Sequence, residues 1–403
     1  MTIFKTSIVL ILIALFSINS YAQNDKLLEW ANQGTVKNEN YNSEIPFRYV
    51  NGYIFIDIIQ NDKKYNFLFD SGAEATLIDK SIINEFEFEL FSTSNISGPL
   101  IKNGVVNTIT LSAIKISDIE FLDIGAVAFD LQVFKSKLCE KLDGVIGSTL
   151  LKKAKWQIDY KNKVIRLSNE ISNLISEKPK YTLTTNIPEK GWGTETIGLN
   201  IDGYTSQFNF DTGNGRSKIV SHPNKIKDFT TNNNNSITEY GFKKSTTDYK
   251  FIAKNVTLGN IALNNQTISL ENEVGNIQLL GNRFFENFIL TIDWKNHQLY
   301  LDPIKDIVSE TLIDFELNFS PNFETKKIEV ATGLRAFIKK NKIEQGTTLL
   351  KVNDTDVSNF SHQELCDFWN TEWPKITNAE KLNILILQKG KSKEIVITKK
   401  KLT

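Results

Sequence analysis

Cysteine and histidine, the side chains that most often bind catalytic metals or act as nucleophile and base, are nearly absent from this chain of 403 residues. Only Cys139, Cys366, His222, His297 and His362 are present. No spacing among them suits a metal, so thiolate and imidazole metal centres are excluded and the histidines read as surface or capping residues. The two cysteines fall in different parts of the chain, and no disulfide between them is expected. Charge of one sign is also lacking, with 47 basic against 47 acidic residues. That balance removes the electrostatic footprint of a nucleic-acid binder.

Long apolar runs are missing as well. The most apolar stretch, Ile8 to Phe16, is well short of the roughly 20 residues that span hydrocarbon. It follows Lys5 and precedes Ser20-Tyr21-Ala22, the pattern of a cleaved export signal over residues 1–22. Export to a periplasm, a cell surface or the medium is therefore expected, with no membrane span after cleavage. Residues 23–45 read as a polar, loosely held segment.

An internal repeat organises most of the remainder. In the first copy the strand pattern Tyr53 to Ile59, the turn Asn61-Asp62 and the strand Tyr65 to Phe69 run into Asp70-Ser71-Gly72. In the second, Thr196 to Ile201, the hairpin turn Asp202-Gly203 and Phe208-Asn209-Phe210 run into Asp211-Thr212-Gly213. Each copy later has an apolar run ending in glycine, at Gly147 and at Gly281, then a short helix. Gln157-Ile158-Asp159-Tyr160-Lys161-Asn162 and Thr291-Ile292-Asp293-Trp294-Lys295-Asn296 follow. Asp70 and Asp211 stand 141 positions apart, while the glycines and the later aspartates each stand 134 apart, so one loop deletion relates the copies. The class is all-β: two tandem β-barrel lobes with pseudo-twofold symmetry, over residues 46–170 and 191–303, joined by a linker at 171–190. Asp159, Asp293, Trp156 and Trp294 read as structural.

From about Ile304 the pattern changes to a small α+β domain, residues 304–403. Strand patterns at Ile313 to Phe319, Lys327 to Val330, Thr348 to Val352 and Leu382 to Gln388 surround a helix that starts after Ser361, with Glu364 completing a capping box.

Without metal, thiol or imidazole, hydrolysis needs one acid and one base, and two carboxyls sharing a proton supply both. Asp70 and Asp211, one per copy, are the candidate pair. Ser71 and Thr212 can brace the two loops across the axis. Gly72 and Gly213 permit close approach, and Gly147 and Gly281 allow tight packing behind. No cofactor is called for.

The run Phe67 to Asp79 resembles the active-site segment of retropepsin-like aspartic peptidases, and Phe208 to Val220 resembles its partner. Two such lobes in one chain are similar to a fused retropepsin dimer or a reduced bacterial relative of the pepsins, over about Phe47 to Pro303. The resemblance implies an aspartic endopeptidase acting on protein or peptide substrates, with catalytic roles at Asp70 and Asp211 and supporting roles at Ser71 and Thr212. One chain carrying both halves would suffice as a monomer. Pepsins place a hydroxyl after the motif where Ala73 and Asn214 stand here, which implies a less acidic pair and activity at mildly acidic to neutral pH. The family's flap would fall near Gly98 and near Tyr240-Gly241, 28 and 30 positions past the aspartates. The C-terminal part resembles a PDZ domain in Lys342 to Val357 and the Ser361 helix. That implies a peptide or protein ligand, with a carboxylate-binding loop at Phe315, Leu317 and Phe319. The competing reading is an inactive peptidase fold serving as an exported peptide-binding or scaffold module.

Overall fold

The structure is a computed structural model that describes residues 21–96, 104–135, 138–175, 178–187, 193–230, 236–272 and 277–402. Two lobes are built from the same strand order. In lobe one the order is Tyr53–Gln60, Lys63–Phe69, Gly144–Ile146, Thr76–Asp79, Ile119–Phe129, Gly104–Ile116 and Phe88–Ile96, with the short strands Arg48–Val50 and Thr35–Val36 added. Lobe two repeats it as Thr196–Ile201, Tyr204–Asp211, Leu279–Gly281, Ile219–Ser221, Ile261–Leu270, Asp248–Leu258 and Thr238–Tyr240. A further pairing of Thr196–Ile201 with Asp248–Leu258 closes the second sheet on itself. The turns Asn61-Asp62 and Asp202-Gly203 have positive φ at both residues, the twist that two-residue hairpins require.

Alternation along these strands sends Phe67, Phe69, Phe208 and Phe210 into a shared core at 0% exposure. Each such ring stabilises the fold by about 1.5–3 kcal/mol relative to exposure. A six-stranded sheet joins the lobes, in the order Tyr181–Thr184, Gln298–Pro303, Phe288–Asp293, Lys155–Asp159, Val164–Ser168, Asn42–Pro46. Its central seam pairs Trp156 with Ile292 and Ile158 with Leu290, so the lobes are hydrogen-bonded through the repeat's own hairpins. Asp159 and Asp293 cap those hairpins, accepting from the Asn162 and Asn296 amides at 3.0 and 3.3 Å.

Two expectations need correction. The segment 23–45 is not loosely held: Tyr21–Asn32 is a helix whose Leu27, Trp30 and Ala31 are buried on lobe one. Trp30 Nε1 donates to Ile109 O at 2.9 Å. Lys152 and Lys153 donate to Asn32 at 2.7 and 2.6 Å, placing hydrogen-bond donors at the helix's C-terminal end. Asn42–Pro46 then forms the edge of the joining sheet. The linker 171–190 is likewise structured in part, because Tyr181–Thr184 pairs with Gln298–Pro303.

The C-terminal unit has its own core and a seven-stranded sheet, in the order Ile313–Phe315, Lys391–Lys401, Lys381–Gln388, Thr348–Val352, Lys327–Gly333, Leu317–Asn322, with Thr355–Asp356 on Thr348–Val352. Helices Arg335–Asn341 and His362–Asp367 pack on it, and the capping box between Ser361 and Glu364 is formed. No described helix is long and apolar enough to cross a membrane.

Candidate active site

The strands Lys63–Phe69 and Tyr204–Asp211 deliver Asp70 and Asp211 to the junction of the lobes. Behind each runs a parallel strand, pairing Ile146 with Phe69 and Gly281 with Asp211. Both loops turn directly after the aspartate. Gly72 and Ala73 amides donate to Asp70 Oδ1 at 2.8 and 3.1 Å, and the Gly213 amide donates to Asp211 Oδ1 at 2.9 Å.

Across the axis the two hydroxyl residues exchange bonds. The Ser71 amide donates to Thr212 Oγ1 at 2.9 Å, and the Thr212 amide donates to Ser71 Oγ at 2.9 Å. The hydroxyls in turn donate to Phe210 O at 3.0 Å and Phe69 O at 3.1 Å. All of these groups are buried, where hydrogen bonds hold geometry tightly because leaving one unmade is costly.

The loops approach so closely that side chains are excluded. A Cβ on Gly213 would lie 2.2 Å from Asp70 Cγ, and one on Gly72 would lie 2.5 Å from Asp211 Oδ1. Gly147 and Gly281 serve the packing behind, where a Cβ would sit 2.2 Å from Ala75 O and from Ser217 O respectively. Asn214 folds onto its own loop, its Oδ1 accepting from the Arg216 amide at 3.3 Å.

Asp70 and Asp211 are each 0% exposed, and each carboxyl lies against the other's loop: a Cβ on Gly72 would stand 2.5 Å from Asp211 Oδ1 and one on Gly213 2.3 Å from Asp70 Oδ1. Two carboxyls on facing loops of a buried site raise one another's affinity for a proton. Burial is the largest influence and raises both groups above the ordinary carboxylate range. The charge of Asp70 raises Asp211 further, while the loop amides pull Asp70 back. The Oδ2 atoms of both residues make no hydrogen bond among the described residues. One oxygen of each carboxyl is thus held by its loop and the other left uncommitted.

Asp70, Ser71, Gly72, Gly147, Asp211, Thr212, Gly213 and Gly281 therefore converge. The other candidates do not. Gly98 lies outside the described residues, although the arms Phe88–Ile96 and Gly104–Ile116 pair up to Ile96 and Gly104. Tyr240 and Gly241 are no flap: Tyr240 is 1% exposed and bridges Leu334 in the C-terminal unit. Its hydroxyl donates to Asp314 Oδ2 at 3.1 Å, and the Gly241 amide donates to Gly333 O at 3.0 Å. At the loop of Phe315, Leu317 and Phe319 all three side chains enter the C-terminal core. The Glu316 amide is spent on Thr398 O at 3.2 Å. The Glu316 carboxylate itself accepts from the Thr398 amide and hydroxyl at 3.0 and 3.1 Å.

Sequence reasoning missed Glu74, four residues past Asp70. Burial pushes its carboxyl up to about 7. An acid so soon after the motif was the available signal, but its burial was not visible. Also missed was a brace between lobes, in which Asn282 Nδ2 donates to Gly52 O at 2.7 Å while its Oδ1 accepts from Tyr160. Among the described residues no group of three or more His, Cys, Asp or Glu is placed to hold a metal.

No family model matches this chain. No curated protein matches it either. Among solved structures it is similar to the crystal structure of basic 7S globulin from soybean, with a TM-score of 0.42 and 9% identity over 66% of this chain and 98% of that one. Figures this low transfer no property, so fold and chemistry stand on the chain's own geometry.

Proposed function

We propose that the chain is an exported aspartic endopeptidase that hydrolyses peptide bonds with the Asp70/Asp211 pair. The observation that carries this reading is the convergence of two buried carboxyls on closely apposed, symmetry-related loops cross-braced by Ser71 and Thr212. In the singly protonated pair the ionised carboxyl takes a proton from water as the oxygen attacks the peptide carbonyl carbon. The protonated carboxyl donates to the carbonyl oxygen, giving a tetrahedral diol. The proton held after attack passes to the amide nitrogen while the other carboxylate, ionised by its earlier donation, takes a proton back from one diol hydroxyl; the C–N bond breaks to release amine and carboxylic acid, and the pair returns to its singly protonated form. Rigid loops keep both oxygens aimed without reorganisation during the reaction.

Raised affinity for the shared proton keeps the working form populated toward neutral pH, so activity belongs in the mildly acidic to neutral range. A rate optimum deep in the acid range would count against this. The C-terminal unit contacts both lobes, and with the Phe315 and Glu316 amides bonded internally its role is docking rather than capture of a free chain end. Complete burial of the pair favours one rival, an inactive fold that binds peptides or acts as a scaffold. A digest of a mixed peptide library by the chain from Gln23 onward and by its Asp70→Asn and Asp211→Asn variants separates the two. Cleavage abolished in both folded variants supports the peptidase; equal cleavage by all three, or none by any across the pH range, sinks it.

A further inference from the structure

Cys139 and Cys366, 227 positions apart in sequence, meet where the C-terminal unit docks on lobe one. Cys139 lies between the strands Ile119–Phe129 and Gly144–Ile146, just ahead of the strand that runs parallel to the one ending at Asp70. Cys366 sits in the helix His362–Asp367 at 2% exposure, within the C-terminal core. Cys139 packs against that same core, half-buried, and each thiol lies near enough to influence the other's titration. His362 Nε2 stands 3.7 Å from Cys366 Sγ. Asn51 Nδ2 donating to Asn370 Oδ1 at 2.7 Å fixes the same docking from a second point on lobe one.

We propose that Cys139 and Cys366 form a reversible disulfide that bolts the C-terminal unit to lobe one when the protein meets a disulfide oxidant. Two thiols brought to the same docking interface have only to approach to S–S bonding distance, about 2.05 Å. The more accessible Cys139 thiolate attacks one sulfur of the oxidant, forming a mixed disulfide and releasing one thiol. Cys366, passing its proton to His362, then attacks Cys139 Sγ and expels the second thiol. Two electrons and two protons leave the protein, and the oxidant is reduced to two thiols. Burial holds both thiols protonated, and the Glu140 and Asp367 carboxylates reinforce this. Exchange runs through the small thiolate fraction, so the pair oxidises slowly and only when a disulfide oxidant is supplied. The proposal is independent of the peptidase reading, since its readout is a covalent bond.

The test equilibrates the chain from Gln23 onward with glutathione buffers from reducing to oxidising. It is then quenched in acid, alkylated with N-ethylmaleimide, digested and analysed by mass spectrometry. The expected result is loss of both alkylation sites together, a linked Cys139–Cys366 peptide pair, a monomer on non-reducing gels, and a thermal midpoint raised by several degrees. Cys139→Ser should leave Cys366 alkylated and the midpoint insensitive to oxidation. Independent alkylation of both thiols at the most oxidising ratio, or capture only as glutathione adducts or dimers, overturns the proposal.

Discussion

Replacing Thr212 by valine nearly preserves the side chain's shape and deletes Oγ1, which accepts from the Ser71 amide at 2.9 Å and donates to Phe69 O at 3.1 Å. The Ser71 amide has nowhere else to turn, because Ser71 is 0% exposed. An orphaned buried donor costs about 1–3 kcal/mol, and loss of the second bond adds about 1. The expected destabilisation is therefore about 2–4 kcal/mol. Thr212→Ser keeps both bonds and gives up one methyl, for about 1 kcal/mol. Urea unfolding of the three proteins, followed by circular dichroism, measures the difference. Because Ser71 Oγ performs the mirror-image task for the Thr212 amide and Phe210 O, Ser71→Ala should cost a similar amount. If Thr212→Val unfolds within about 0.5 kcal/mol of Thr212→Ser, the cross-brace is not a structural requirement and the reasoning fails.

Glu74 has a pKa raised to about 7 by burial, so the folded chain holds its proton more tightly than the unfolded one. That contribution to stability is fully present below about pH 4.5 and is lost as pH rises toward 7. Glu74→Gln should match the wild type at pH 4 and exceed it at pH 8 by up to about 3 kcal/mol; thermal midpoints that differ by a constant amount across that range would contradict this. Trp30→Ala removes a ring that is 1% exposed and stacked on Phe91 at 5.8 Å, for about 3–5 kcal/mol. Hydrogen exchange should then show the helix Tyr21–Asn32 unprotected, and unchanged protection would mean that it is held by something else.

The repeat was legible because its requirements are local. Strand, positive-φ turn, aspartate, hydroxyl residue and glycine must follow in order, and each leaves a recognisable residue type. The same holds for the capping box at Ser361 and Glu364. The N-terminal helix was not legible because Leu27, Trp30 and Ala31, a proper helical stripe, are set among Asn, Asp, Lys and Glu that dominate the average. Tyr181–Thr184 is too short to register alone and becomes a strand only beside Gln298–Pro303, a partner supplied by the tertiary fold. Glu74's burial, Tyr240's docking and the meeting of Cys139 with Cys366 all depend on surfaces that come together after the units have folded. No window of sequence contains both sides of such a contact.

Equivalent hairpins of the two lobes are held by different additions, and this is where the repeat stops being symmetric. In lobe one, Trp30 of the N-terminal helix bonds Ile109 O and stacks on Phe91, so it grips both strands of the hairpin Phe88–Ile96 and Gly104–Ile116. In lobe two, the corresponding strands Thr238–Tyr240 and Asp248–Leu258 are gripped by the C-terminal unit: Lys250 pairs with Asp314 at 3.0 Å, and Arg335 Nη1 donates to Thr247 Oγ1 at 2.6 Å. That unit also reaches lobe one through Asn370 and Cys366. A rotation of one lobe against the other must therefore strain either the C-terminal contacts or the six-stranded seam. A motion that exposed the buried carboxyls would therefore work against contacts from outside the repeat as well as against the repeat's own seam.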